Sequence, residues 1–558
     1  MVLAWILGGG VGVLNHKKTT RNRSMVALCL MGAALSACQV NPPMPGSSAW
    51  LKANFPERYA ESGDPAHGGV SAQFDQNTPW WQQFHDAQLT ALVERAAQHN
   101  FDVDLALERV NLARAGARSA GANLGPTLSL SGGQNDSSTR YSEAVKAGDL
   151  LPDKRVTQVG LNASWDFDIF GATRAGKLAA EKDVRAGIWG VYGAQLIVSQ
   201  ETASQYFLYQ SLLARKALFE ALIASQQDSL AAARKRREAG VSGEIEIDQF
   251  EINLANVQAS LREIDAALQT THHQIALLTV TPIDQLKITA NPALFDQATL
   301  TQKIPTGLPV DLLTRRPDIR AAEYQLAAES ARLVQSERNR LPKTVASLVW
   351  GAQDLVFSPA SPLALTPVAF LNTALSFALP IYDPRIKAAI EGQSAKEKTA
   401  LIQYHKTVFN ALTQVENSLT ARQQQHQRYT DLNTIAQKYQ NAYQHTQRMF
   451  DAGLTNRIKL QEANRGQLVA QLNRIDAEIA QANAMIGLYT ALGGSWSPRA
   501  DQGFPASQLQ DKTNSPLLQP DAASKAPRTK TSKSASQPES ATAHLTAAAQ
   551  PAALEAHP

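Results

Sequence analysis

Apolar residues recur at Leu89, Leu92, Val93, Ala96 and Ala97, the spacing of one helix face, and Asp86 stands where its side chain can cap the first turn. A second helix is expected from Val103 toward Gly121, ended by Gly125-Pro126. The period then falls to two. Val159, Leu161, Ala163, Trp165, Phe167 and Ile169 alternate with Gln158, Gly160, Asn162, Ser164 and Asp166, predicting a strand with one apolar and one polar face. Leu371, Thr373, Leu375, Phe377 and Leu379 against Asn372, Ala374, Ser376 and Ala378 predict another. Shorter partners are expected at Thr127 to Gly133 and Thr344 to Gln353, so that each half of the chain holds one hairpin. Its strands, at about ten residues, match the length of a tilted strand crossing a bilayer.

Each hairpin is followed by a long stretch of helical composition. Ala186 to Glu238 holds no proline, and at about 1.5 Å per residue it spans on the order of 75 Å. A turn at Gly240 to Gly243 sends the chain back through Asp248 to Thr279. The second half runs from about Lys387 to Phe450, turns at Ala452-Gly453 and returns to Leu492-Gly493-Gly494. Glycine suits both turns because it reaches left-handed backbone without strain.

The halves are copies of one plan. Leu105 to Val110 leading to Pro126 matches Ala321 to Leu326 leading to Pro342, Trp165 to Phe170 matches Phe377 to Tyr382, Glu238-Ala239-Gly240 matches Asp451-Ala452-Gly453, and Glu263 to Ala266 matches Arg474 to Ala477. The offset stays at about 211 to 216 residues, the mark of an internal duplication.

Four membrane-length strands cannot close a barrel, because an open sheet edge cannot sit in lipid. Three copies supply twelve strands and remove every edge, predicting a homotrimer. A soluble sandwich is the alternative, but it leaves the long helices without partners. The predicted fold is therefore mainly α with a small β part: a long α-helical barrel, plus four strands per protomer in a 12-stranded trimeric transmembrane β-barrel, with an internal two-fold repeat.

Composition refines this picture. Aromatics make up 6% and charged residues 18% of the 558 residues, which suits long helices better than several compact cores. The formal net charge is +4, and Lys17, Lys18, Arg21 and Arg23 near the start account for it, so a nucleic-acid partner is not expected. Both cysteines lie within the first 38 residues, which excludes a disulfide framework or a Cys-based zinc site in the body of the chain. Leu35-Ser36-Ala37-Cys38 follows a basic stretch and the apolar run Met25 to Leu35. This layout predicts a signal peptide over 1–37 with Cys38 as the acylated residue of a lipobox. Residues 38–79, rich in Pro, Gly, Ser and Ala, read as a lipid-anchored tether. Residues 80–306 and 307–496 are the two repeats, and 497–558, poor in large apolar side chains, reads as a disordered tail.

Enzyme chemistry finds no support in the motifs: there is no phosphate-cradling glycine loop, no His-Glu-x-x-His and no nucleophile elbow. His272-His273 lies on a polar helical stretch, and Asp166 and Asp168 fall on the polar side of a strand, where they line water. No cofactor or metal is expected. A structural coiled-coil lipoprotein would account for the helices and Cys38, but not for two membrane-length hairpins at equivalent places.

Gly307-Leu308-Pro309-Val310-Asp311-Leu312-Leu313-Thr314-Arg315-Arg316-Pro317-Asp318-Ile319-Arg320-Ala321-Ala322-Glu323 carries a family resemblance. So do Trp80-Trp81 with Phe84 and Asp86, Trp165 to Gly171, Ala411 to Glu416, and Leu492-Gly493-Gly494-Ser495-Trp496. Over roughly Trp80 to Trp496 the chain resembles the TolC-like outer-membrane efflux proteins, in their lipoprotein branch of OprM and NodT types. The resemblance implies a trimer crossing the outer membrane, with helical tips that meet a periplasmic adaptor protein and, through it, an inner-membrane pump of resistance-nodulation-division type. Drug, metal and protein export share this architecture. It also implies a gate at the tips, where Glu246 and Glu462 match acidic positions of the family and Lys459 stands where a second acid is usual. Lys459 is expected to pair with a neighbouring acid and hold the tips closed.

Overall fold

The computed structural model describes residues 56, 59, 79–138, 153–241, 243–295, 300, 304, 309–358 and 365–494. The signal segment with Cys38, most of the tether, the loops between paired strands and the tail lie outside the described residues.

A short 3-10 turn, Trp80–Phe84, leads into α1 (Ala87–His99). Asp86 caps α1, accepting a hydrogen bond from the Leu89 amide at 2.9 Å, and Leu89, Val93 and Ala96 are buried. Asn100 caps α2 (Phe101–Ala122) in the same way through the Asp102 amide. Beyond Pro126 come β1 (Thr127–Ser137) and β2 (Asp153–Asp166), then α3 (Ala172–Glu238, 67 residues) and α4 (Glu244–Leu278, 35 residues).

The second half repeats the order. One turn of helix, α5 (Leu312–Arg315), precedes α6 (Pro317–Arg338), whose first position is a proline. Then follow β3 (Lys343–Ser358), β4 (Leu365–Ala378), α7 (Pro384–Asp451, 68 residues) and α8 (Arg457–Ala491, 35 residues). At about 1.5 Å per residue, α3 and α7 are each about 100 Å long.

The four strands form one antiparallel sheet in the order β1-β2-β3-β4, so β2 and β3 join the two hairpins and β1 and β4 are its edges. The strands run longer than the alternation alone predicted, because neighbours hold β1 to Ser137 and β3 to Ser358 where the pattern weakens. β2 instead ends early. Phe167 makes a single backbone bond to Thr344 O, and Asp168 turns away to accept from the Thr173 and Arg174 amides at the start of α3. Asp168 is thus a helix-start ligand and not a polar-face residue of the strand. α3 also begins fourteen residues before the stretch read from sequence, at Ala172 and not Ala186.

The main core gathers Trp80, Phe84, Leu89 and Val93 with Tyr206 and Phe207 of α3, Leu312, Ile319 and Leu326, Val408 and Val415 of α7, and Met485, Ile486 and Tyr489 of α8. Trp80 stacks on Tyr489 at 5.9 Å. Tyr59 of the tether segment packs into the same core, and burial pushes its phenol pKa well up.

The most specific stretch of the resemblance is scaffold. Arg315 and Arg316 are buried; Arg316 grips Asp318, Gln414 Oε1 and the Ala491 carbonyl at 2.6 Å, tying the connector to the middle of α7 and the end of α8. Gly493, at φ +95°, lies under both arginines, and a Cβ there would come within 3.2 Å of each Cγ.

Candidate functional site

Pairing register decides which side chains share a face of the sheet. Leu130, Leu161, Trp350 and Leu371 form one cross-strand row, flanked by Leu128, Ala163 and Leu348 and by Trp165, Ala346 and Leu375. Most of these large apolar residues are exposed, Leu130 to 74% and Leu375 to 72%. An exposed apolar face of this extent fits lipid and not water. Ser129, Asn162, Val349 and Asn372 form a row on the opposite face, next to Ser131, Gly160, Gly351 and Phe370. There the Asn162 amide donates to Ser131 Oγ at 2.7 Å. Among the described residues no helix is long and apolar enough to cross a membrane, and no group of His, Cys, Asp and Glu is arranged to hold a metal. His272 is engaged by the Leu286 carbonyl, 3.0 Å from its Nε2.

The two reversals between long helices are built alike. Gly240 and Gly453 both have φ +74°. The Val241 amide reaches back to Arg236 O and the Leu454 amide to Met449 O, closing each helix with the same six-residue loop. Space around both glycines is open, so their role is backbone conformation. Gly243 precedes α4 in extended conformation, with no side-chain cap.

Glu246 sits in the first turn of α4, half-buried, and forms an ion pair with Arg236 across the reversal. Arg237 pairs with Glu244 at 3.2 Å and Arg234 with Glu251 at 2.7 Å. Glu462 is exposed on α8. Lys459 departs from expectation: among the described residues no carboxylate lies within ion-pair distance of it. Its backbone amide is held by Asn456 Oδ1 at 3.0 Å, its side chain is exposed, and Asp451, the acid before the turn, is taken by Gln447.

The residues that join the two tips were not singled out by sequence. Arg457 Nη2 donates to Ser229 Oγ at 3.1 Å, and Gln461 Nε2 faces Gln226 Oε1 at 3.4 Å, so α8 is linked to α3. Burial lowers the Arg457 pKa, the Arg236 guanidinium lowers it further, and Glu246 and Asp228 oppose both. One sequence signal pointed here: a cation in the first turn of a helix opposes the helix dipole and needs a partner.

Comparison with family models matches residues 92–281 and 308–494, more than half of the chain, to the outer membrane efflux proteins. The chain belongs to the outer membrane efflux protein family. Members are trimeric channels of the outer membrane that work with efflux-pump partners, and they are not enzymes. This efflux channel protein is 26% identical over 482 residues to Nodulation protein T of Rhizobium leguminosarum bv. trifolii, covering 84% of this chain and 97% of that one. It is 26% identical over 481 residues to the solvent efflux pump outer membrane protein SrpC of Pseudomonas putida, covering 85% and 98%. Among solved structures the outer-membrane channel OprN superposes with a TM-score of 0.68 at 23% identity, over 82% of this chain and 99% of that one. The Campylobacter jejuni CmeC outer membrane channel gives 0.67 at 20%, over 80% and 94%. The fold is theirs: long helices of an α-barrel, and four strands that each protomer contributes to a trimeric β-barrel.

Proposed function

We propose that three copies of this chain form the exit duct of a tripartite efflux system, conducting drugs, solvents or other small molecules passively from a periplasmic adaptor and a resistance-nodulation-division pump to the exterior. The observation that carries the reading is the sheet: one face apolar and exposed, and both edge strands without a partner among the described residues. Relatives named for solvent, toluene and pyoverdine export support a small-molecule cargo. In this reading Cys38, after removal of 1–37, anchors the 38–79 tether in outer-membrane lipid. Residues 80–306 and 307–496 are the two channel repeats.

Adaptor engagement falls to the tips. Val241 and Leu454 are exposed to 78% and 73% at matching positions, and Ile245 and Ile458 stand exposed four residues further on. Apolar residues held open on rigid turns suit a partner's apolar side chains.

The same tips form the gate. Glu246 and Glu462 face the narrowing pore with Lys459, and three-fold symmetry makes each a ring. Arg236 offsets the charge of Glu246, so Glu462 sets the cation preference, while Arg457 holding Ser229 restrains the second tip against α3. Single-channel recording tests this. Arg457→Ala raises conductance by releasing the tip, Glu462→Ala reduces cation preference, and Lys459→Ala increases it. Unchanged conductance and preference in all three variants would remove the gate from these residues.

A further inference from the structure

The polar face of the sheet is not uniform. Its positions on the first hairpin carry Ser129, Ser131, Gln158, Asn162 and Ser164, hydroxyl or amide side chains, with Val156 an aliphatic exception beside Leu355 toward the far end. On the second hairpin the same face carries Val345, Val349, Val368 and Phe370 between Ser347, Gln353 and Asn372. Among the described residues charge enters this face only toward its ends, with Asp166 and Lys343 at the helical side and Lys154 at the other.

Phe370 sits in the row Ser131, Gly160, Gly351, Phe370. A Cβ on Gly351 would lie 3.2 Å from Phe370 Cζ, so the ring leans across β3 toward Gly351 instead of standing upright. Val349 lies two residues before Gly351 on the same face, and Val368 two residues before Phe370. Val368 is 48% exposed and Phe370 is only half-buried. The outcome is a contiguous apolar patch, floored by glycine and topped by an aromatic ring, bordered by Asn162, Asn372 and Gln353. Aromatic cover of glycine in a sheet is stabilising, but it does not require the neighbouring valines to face the same way.

We propose that this patch is a luminal track for aromatic and apolar molecules, with Phe370 as its principal contact. The inference rests on the reading of the chain as an efflux duct. Closure of the barrel by three copies alternates three such tracks with three hydroxyl and amide walls. An uncharged wall offers no Coulombic trap, so a solute is held only by short-lived stacking and van der Waals contact, weak enough to release it outward. An aromatic pair contributes an increment that corresponds to about two- to tenfold in residence.

The test uses the full-length protein in planar bilayers with two probe cations of like charge, phenyltrimethylammonium and tetramethylammonium, read as excess current noise within the open pore. In the parent protein the phenyl probe resides longer than the methyl one. Phe370→Ser shortens the phenyl residence about two- to tenfold and leaves both the methyl probe and the potassium chloride conductance unchanged, while Phe370→Trp preserves the phenyl residence. The double variant Val349→Ser/Val368→Ser leaves the glycine cover in place and is expected to shorten the phenyl residence as well; it carries the test if Phe370→Ser does not assemble. Equal phenyl residence in parent and conducting variants overturns the track. A parent protein that passes no current overturns the duct reading, and the track with it.

Discussion

At the scale of single residues, the long helices enclose polar groups whose ionisation works against burial. Glu478 of α8 is 7% exposed, and burial raises its pKa above the usual carboxylate range while Arg474, 2.8 Å away, opposes the shift. A raised folded value favours the protonated form. The stabilisation is fully present below the unfolded value of about 4.3 and is lost as pH rises through the folded value. Glu478→Gln, which mimics the protonated acid, is therefore expected to melt above the parent at pH 7.5, with the gap closing toward pH 4. A variant that melts at or below the parent at pH 7.5 contradicts this account. Arg457 shows the limit of local reading: its placement at a helix start was anomalous in sequence, but Ser229, its partner, lies 228 residues away.

At the scale of elements, the strands depend on backbone approach as much as on alternation. A Cβ on Gly351 would stand 2.4 Å from the Val159 carbonyl oxygen and 2.8 Å from Gly160 Cα, both backbone atoms that cannot step aside without parting β2 from β3. Since β2 and β3 are the seam between the two hairpins, Gly351→Ala is expected to abolish the heat-resistant trimer band on a denaturing gel. The matching change at Gly133, where nothing lies within 4 Å, leaves that band intact. Equal bands from both variants contradict the assignment of Gly351 to the seam. Alternation made the strands legible, yet their ends were not, because the last residues of β1 and β3 owe their conformation to partners across the sheet. The helix reversals were more legible than the helix starts, since α3 begins fourteen residues ahead of its expected start. The reversals at Gly240 and Gly453 fall where glycine and the duplication put them, and α4 and α8 come out equal at 35 residues.

At the scale of the whole molecule, the described residues leave a sheet with two open edges and an exposed apolar face, which only further copies and lipid can complete. Cross-linking in detergent is expected to stop at three copies, and Cys38→Ser is expected to keep that pattern while losing radioactive palmitate, because barrel insertion outweighs a lipid chain. A conducting monomer, or equal label in the mutant, contradicts these two expectations in turn.

The sequence by itself determined the duplication, the switch between helical and strand periods, the positions of the turns and the two-faced hairpins, because each is written in spacing along the chain. Only the tertiary structure decided that Lys459 finds no acid among the described residues, that Glu246 is offset by Arg236, and that Arg457 bridges α8 to α3. It also placed Phe370 over a glycine floor on the second hairpin. These depend on which side chains the register and the helix packing bring within a few ångströms, and such distances between residues far apart in sequence are set by the fold and not by local pattern.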